Sequence, residues 1–250
     1  MEMYQSLCVQ YYDIDKPDAP EDAFQFYLKY VKEANGPILE PMSGSGRFLI
    51  PFLQLGYEVD GIDASASMNQ ACLANAEKLN LTTNVYEQFL NELNLPKKYN
   101  LVIIPAGSIG LITDESALKA SFQKINEHMV PGAKLVFEVD TIAYKPENFH
   151  VVTGSIRERA DGAKIYFTKF ADSYDENTNV MRSIHKYELF KDGKLLDSEL
   201  EDFRVKLFNK ESLVQILEEC GFKNIKTYKL YEKVEPENNA MEIVIECEKS

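Results

Sequence analysis

The stretch Ile38-Leu39-Glu40-Pro41-Met42-Ser43-Gly44-Ser45-Gly46-Arg47-Phe48-Leu49-Ile50-Pro51 decides how the rest of the chain is read. Ile38–Glu40 reads as a short strand and Ser43 to Gly46 as a turn with a permissive backbone. The residues to Leu55 read as a helix stopped by Gly56. This order resembles a nucleotide loop with one glycine missing, Met42 standing where many such loops begin with glycine. The common phosphate ligands fit poorly. A dinucleotide fingerprint needs a third glycine where helix and strand pack closely, and here that position is Leu49. A nucleoside-triphosphate loop needs Gly-Lys-Ser/Thr, which Gly46-Arg47-Phe48 does not supply.

Two acids fit a different ligand. Glu40 closes the first strand, and Asp63 closes the next apolar segment, "YEVDGID", 17 residues beyond Gly46. An acid at the second strand's tip is placed to accept hydrogen bonds from both ribose hydroxyls. An acid at the first strand's tip repels a pyrophosphate and attracts an ammonium or sulfonium group. S-adenosylmethionine has an adenosine, a cationic sulfur and an amino acid end, and no phosphate, so it suits both positions better than NAD. Each signal has a plainer explanation when taken alone. A lone Gly-x-Gly is weak, Glu40 alone could be a cap or solubility acid, and Asp63 alone could cap the helix that opens near Ser65. None of these explains both acids at adjacent strand tips.

The surrounding pattern is that of an α/β fold with a doubly wound, mostly parallel sheet. "EDAFQFYLKYVKEA" (21–34) is an amphipathic helix with acids in its first turn, stopped by Asn35-Gly36-Pro37. A helix from Ser65 through Met68 and Cys72 to Leu79 follows Asp63, then "TNVYE" as a short third strand and "YNLVIIPAGS" as a central, buried fourth. Asp114 opens a helix to Met129, and Pro131-Gly132 turns the chain into a fifth strand, "AKLVFEVDT". After Asp140 the rhythm changes. Long alternating runs over 149–207, with Asp161-Gly162 and Asp192-Gly193 between them, read as an antiparallel insert built of hairpins. Asn209 caps a helix to Cys220, Gly221 ends it, and "KNIKTYKLY" and "AMEIVIECE" close the sheet. The expected organisation is a core over 1–140, an insert over 141–207 and a returning segment over 208–250.

Over "LEPMSGSGRFLIP", "YEVDGIDASASM", "YNLVIIPAGSIGLI", "MVPGAKLVFEVD" and "LFNKESLVQILEECGF" the chain resembles the class I S-adenosylmethionine-dependent methyltransferases, from about Tyr11 to the C-terminus. The resemblance implies a seven-stranded, Rossmann-like sheet, S-adenosyl-L-methionine as cofactor and a small-molecule acceptor covered by the insert. The family loop is usually acid-x-Gly-x-Gly-x-Gly, so Met42 replaces its first glycine and must hold φ below zero or pay strain. By position, the resemblance places the loop from Glu40, Pro41 and Met42 through Gly44 and Gly46 under the methionine part, with the Met42 carbonyl toward the amino group. It gives Asp63 the ribose, Ala64 and Met68 the ribose and adenine, and Gln88 and Phe89 the adenine. Pro105 and Ala106, with Gly107, would flank the sulfonium. Tyr12, in "YYD", would close over the cofactor carboxylate.

Composition bounds the alternatives. A chain of 250 residues, 45% hydrophobic, can bury a full core. A net charge of −13 without any Lys/Arg run argues against a nucleic-acid partner. The four cysteines, Cys8, Cys72, Cys220 and Cys247, lack metal-ligand spacing and read as reduced thiols of a cytoplasmic protein; no metal is expected. The N-terminus "MEMYQSLCVQYYD" does not have the pattern of a signal peptide, and no apolar run nears the roughly 20 residues that span a bilayer. No catalytic base is assigned. His150 and His185, in the insert, are of the residue type that titrates near neutrality and could serve as a base, though a plain role in a solvated strand is the favoured reading for each; His128 is expected as a C-terminal dipole partner on its helix. Arg157, Arg159, Arg182 and Arg204 suit either an acidic acceptor or a solvated sheet face. Tyr166, Phe167, Phe170, Tyr174, Tyr187 and Phe190 suit either an apolar acceptor pocket or core packing. The alternatives to a methyltransferase are an NAD(P)-dependent oxidoreductase, disfavoured by Leu49, and a cofactor-binding protein without turnover. Oligomeric state is not legible.

Overall fold

A computed structural model describes residues 4–250; of the N-terminal stretch considered for a leader, the first three residues lie outside it. Seven strands make the main sheet: β1 (Ile38–Pro41), β2 (Val59–Asp63), β3 (Val85–Glu87), β4 (Tyr99–Ile104), β5 (Met129–Asp140), β10 (Phe222–Lys229) and β11 (Glu242–Lys249). Their order is β10-β11-β5-β4-β1-β2-β3, parallel from β5 to β3 and antiparallel where β11 meets β5 and β10. The chain runs outward from β1 to β3 and then returns to lay β4 on the other side of β1. That reversal opens a crevice beyond the C-terminal ends of β1 and β4, where doubly wound sheets bind ligands.

Both faces of this sheet are covered, so its central strands read as unbroken apolar runs; Leu101 to Ile104 of β4 are all buried. One face packs against α5 (Glu115–Glu127) and α6 (Lys210–Glu219) through Phe122, Phe137 and Leu217. The other packs against α2 (Glu21–Glu33), α3 (Leu49–Gln54) and α4 (Ala66–Lys78) through Phe26, Tyr27, Phe52 and Cys72. The helix starts follow local chemistry. Ser65, Asp114 and Asn209 each accept a hydrogen bond from the backbone N–H three residues on, at 3.2, 2.8 and 2.9 Å. One expected boundary moves. Pro131-Gly132 does not precede β5 but lies inside it, as an irregularity with Gly132 at φ 77° and a register shift against β4.

The second sheet is antiparallel, β6 (Thr153–Glu158), β7 (Lys164–Asp175), β8 (Val180–Lys191) and β9 (Lys194–Lys206) in sequence order. It holds α1 (Ser6–Asp15), a helix that periodicity did not announce. No side chain of its own sequence caps α1. The cap comes from β9, where Glu199 accepts the N–H groups of Leu7 and Cys8 at 2.8 and 3.0 Å. Arg157 pairs with Asp15, Arg159 donates to Gln10 at 2.9 Å, and Leu7, Cys8 and Tyr11 pack with Ile165, Tyr187 and Leu189.

Candidate functional site

A cavity of about 540 Å³ lies at the crevice between β1 and β4. Glu40, Met42 and Gly44 face it from the first loop, Asp63, Ala64 and Met68 from the tip of β2, and Gln88 and Phe89 from the segment after β3. Pro105 and Ala106 at the tip of β4 and Tyr12 of α1 complete the expected set. Two expected residues lie elsewhere. Pro41 is paired within β1, opposite Ile62, and is buried. Gly46 turns away from the cavity: a Cβ there would meet Cys72 Sγ at 2.7 Å and Ile50 at 2.9 Å. Its role is helix packing.

The loop keeps its glycine geometry although one glycine is missing. Met42 sits at φ 59°, beside Gly44 at 55° and Gly46 at 88°. A non-glycine residue in this region costs about 1–3 kcal/mol, and the Met42 side chain offsets part of that by packing on the core. The close helix–strand approach that dinucleotide folds obtain from their third glycine is made here from the strand side. A Cβ on Gly61 of β2 would meet Leu49 Cδ1 at 2.8 Å and Ser43 Oγ at 2.7 Å.

Asp63 is pre-positioned. The N–H of Gly44 donates to one carboxylate oxygen and that of Ser65 to the other, both at 2.9 Å. Each oxygen keeps a second lone-pair site for an incoming hydroxyl. Burial raises the Asp63 pKa, and the two backbone donors work against that rise. Glu40 is 2% exposed, and its Oε2 has no hydrogen-bond partner among the described residues. Burial pushes its carboxyl up to about 8, against the pull of Arg47 and with a smaller push from Asp63. Arg47 was not singled out from sequence as a ligand contact. Its guanidinium lies 5.5 Å from the ring centres of Tyr12 and Phe48, and its buried Nε is also unpartnered. A buried carboxylate oxygen and a buried guanidinium Nε, each without a hydrogen-bond partner among the described residues, suit a ligand carrying both an ammonium and a carboxylate.

Gln88 does not have the freedom expected of it. Its amide accepts from the Asn94 N–H at 2.9 Å and donates to the Asn94 carbonyl at 3.3 Å, which closes the turn after β3. Its amide thus already serves the turn, although the residue still lines the cavity; Asn91, also lining it, was missed because it lies past the strand's end.

The turn after β4 is pinned from behind. Ala106 and Gly107 are both left-handed, at φ 60° and 65°. Glu138 of β5 accepts the Ala106 N–H and, at 2.9 Å each, the hydroxyls of Tyr27 and Tyr231. Beyond this turn lies a second cavity of about 540 Å³ between α1, the insert and the β5 end, sharing Tyr12, Ala106, Ser108 and Leu111 with the first. Of the insert aromatics, Phe167 and Tyr187 line it, whereas Tyr166 packs on Phe190, Phe170 on His150, and Tyr174 bonds Asn179. The four insert arginines are tied to Asp15, Asp161, Asp172 and Asp202. His185 lines the second cavity, stacked 4.4 Å from Phe203 with its pKa pushed down to about 4 by burial and Lys169. His150 is exposed near Asp172. His128 ends α5 as a bridge: Nε2 accepts from the Leu95 N–H at 3.0 Å, so Nδ1–H donates to the Lys124 carbonyl at 2.8 Å. All four cysteines are free and buried, no cluster of metal-ligating side chains exists among the described residues, and no helix is long and apolar enough to cross a membrane.

The fold and crevice are those of a Rossmann-like α/β protein with a ligand site at the sheet's switch point. Residues 12–227 match the methyltransferase domain family, and the chain belongs to it. A protein of Geobacillus sp. (strain WCH70) assigned as a methyltransferase is 27% identical over 143 residues, covering 55% of this chain and 58% of that protein. The chain thus spans little more than half the length of that relative. The S-adenosylmethionine-dependent methyltransferase of Clostridium acetobutylicum ATCC 824 shares the fold at TM-score 0.79 with 15% identity, covering 100% of both chains. The sugar N-methyltransferase KedS8 of Streptoalloteichus sp ATCC 53650 does so at 0.79 and 15% identity, over 100% of this chain and 94% of that one.

Proposed function

We propose that this protein is an S-adenosylmethionine-dependent methyltransferase acting on a small-molecule acceptor. The observation that carries the reading is the pair Glu40 and Asp63 at adjacent strand tips, facing one cavity that opens into another. In this reading Glu40 and the Met42 carbonyl take the cofactor's ammonium, Arg47 with Tyr12 takes its carboxylate, and Asp63 takes the ribose hydroxyls. Met68 and Phe89 enclose the adenine, while Pro105 and Ala106 border the sulfonium.

The bound cofactor supplies a methyl carbon already activated by a cationic sulfur. The protein's part is to hold the acceptor in line with that carbon and to keep water out, and orientation of this kind is worth about 7–11 kcal/mol. The rigid turn at Ala106-Gly107, fixed by Glu138, fits that task. The insert and α1 cover the acceptor side. Four buried free thiols suit the reducing cytoplasm, and a net charge of −13 disfavours a nucleic-acid acceptor. Calorimetric titration with S-adenosylhomocysteine and, separately, NADH tests the reading. Saturable binding of the former is expected; binding of NADH alone overturns it.

A further inference from the structure

The second cavity holds one acid without a partner. Asp140 ends β5, anchored by its carbonyl, which accepts the Phe208 N–H at 2.8 Å. Its carboxylate borders both the cavity under the insert and the adjoining recess at Gly107, Glu138 and Glu242. One oxygen lies 4.0 Å from the place a Cβ on Gly107 would occupy, so it stands beside the turn assigned to the sulfonium. The other acids here are engaged or outside: Glu138 holds two tyrosine hydroxyls, Asp15 pairs with Arg157, the buried Glu201 accepts the Tyr4 N–H at 2.6 Å, and Glu242 is exposed. Asp140 has neither a donor nor a counter-ion among the described residues, and its two acidic neighbours and burial all oppose its charge.

We propose that the acceptor is an amine, received as its ammonium by Asp140, which takes the proton that frees the nitrogen for methylation. The inference rests on the methyltransferase reading above and assigns its substrate class. Its support is the contrast between the charges around the cavity. The cations that line it are Lys16, whose charge burial and then Arg47 oppose, and the exposed Lys169, which water screens. Arg47 is turned to Glu40 and Tyr12, and burial leaves His185 uncharged at neutral pH. Tyr11, Phe167 and Phe203 line the cavity, with Tyr144 exposed at its edge, and aromatic rings are compatible with an organic cation. A carboxylate without donor or counter-ion beside aromatic rings is the chemistry of ammonium recognition. Burial and the two neighbouring acids push Asp140 up to about 6, which makes it a better proton acceptor than an ordinary aspartate yet far too weak a base for an alcohol.

The balance is simple. The ammonium gives one proton to the carboxylate, and the freed lone pair forms the new N–CH3 bond. The S–CH3 bond breaks with its electron pair returning to sulfur, which becomes a neutral thioether. Asp140 then releases its proton to water at the mouth, and the product leaves as the methylated ammonium.

The test uses the full chain with S-adenosylmethionine and matched probes, benzylamine against benzyl alcohol and cyclohexylamine against cyclohexanol, reading S-adenosylhomocysteine release. The amines should exceed their alcohols by about tenfold or more. Asp140→Asn should lower kcat/KM for the amines by about 100-fold, while calorimetric affinity for S-adenosylhomocysteine stays within twofold. The acidic limb of the pH–rate profile should vanish in Asp140→Asn and return, shifted, in Asp140→Glu, which a merely structural role would not produce. Alcohol turnover equal to amine turnover, full amine activity in Asp140→Asn, or no amine-dependent release from a protein that binds S-adenosylhomocysteine overturns the inference. Failure to bind S-adenosylhomocysteine at all overturns the methyltransferase reading, and this inference with it.

Discussion

The two walls of the cleft are built by opposite means. On the cofactor side the shape is a backbone shape: left-handed Met42, Gly44 and Gly46 follow a strand whose neighbours are covered on both faces, and peptide N–H groups hold Asp63. On the acceptor side the shape is made by side chains, Phe167, Tyr187, His185 and Phe203, standing on antiparallel strands whose other face meets solvent. A ring can be exchanged on such a sheet without moving the main chain; in the left-handed loop a side chain meets strain, as at Met42, or collision with Cys72 and Ile50, as it would at Gly46. One wall is therefore set by its backbone and the other by exchangeable side chains. The N-terminal helix α1 goes with the second wall, since its cap, two ion-paired or hydrogen-bonded arginines and its apolar face all come from the insert.

Substitution should separate the walls most strongly at their glycines. Gly46→Val should cost about 2–5 kcal/mol in urea unfolding, because its Cβ would strike Cys72 and Ile50 at a left-handed φ of 88°. Gly193→Val, in an insert turn with open space around it, should cost only about 1–2 kcal/mol from strain. Equal losses would erase the contrast. Next in size, Asp63→Ala should weaken S-adenosylhomocysteine binding by about 1–3 kcal/mol in calorimetry, and unchanged affinity would count against the assigned ribose contact.

Glu40 adds a pH signature to the cofactor wall. Its carboxyl is held at about 8, far above its unfolded value, so stability of the empty protein falls as pH rises from the ordinary carboxylate range to about 8. The ligand's ammonium needs the ionised form, so affinity should rise across that window, about tenfold per pH unit at most, with proton release. Titrations at several pH values check this, and Glu40→Gln should flatten the trend. On the other wall, Glu199→Ala should cost about 0.5–2 kcal/mol and speed amide exchange at Leu7 and Cys8, with S-adenosylhomocysteine affinity changing less than after Asp63→Ala. Least of all, Gln88→Ala should shift that affinity by under about 0.5 kcal/mol, because its amide already serves Asn94; a large loss would reinstate it as an adenine contact.

The alternation of strand and helix, the Asp-Gly hairpins of the insert and the caps at Ser65, Asp114 and Asn209 were legible in the chain because each depends on a few neighbouring residues. So were the two acids, which follow strands that carry their own apolar signature. Met42, Gly61 and Gln88 were not. Whether a side chain takes a left-handed backbone, spares a clash from across the sheet, or spends its amide on a turn depends on atoms brought together by folding. The helix α1 escaped notice for the same reason, since its cap lies 192 positions away in sequence.

Local chemistry by itself thus determined the order of elements, the doubly wound core, the antiparallel insert and the acids at the tips of β1 and β2. Only the tertiary structure decided that Glu40 Oε2 and Arg47 Nε are buried without hydrogen-bond partners, that α1 joins the insert, and that Asp140 lines the second cavity without a counter-charge. Periodicity and capping are properties of neighbours along the chain, whereas burial, pairing and unpaired charge belong to neighbours in space.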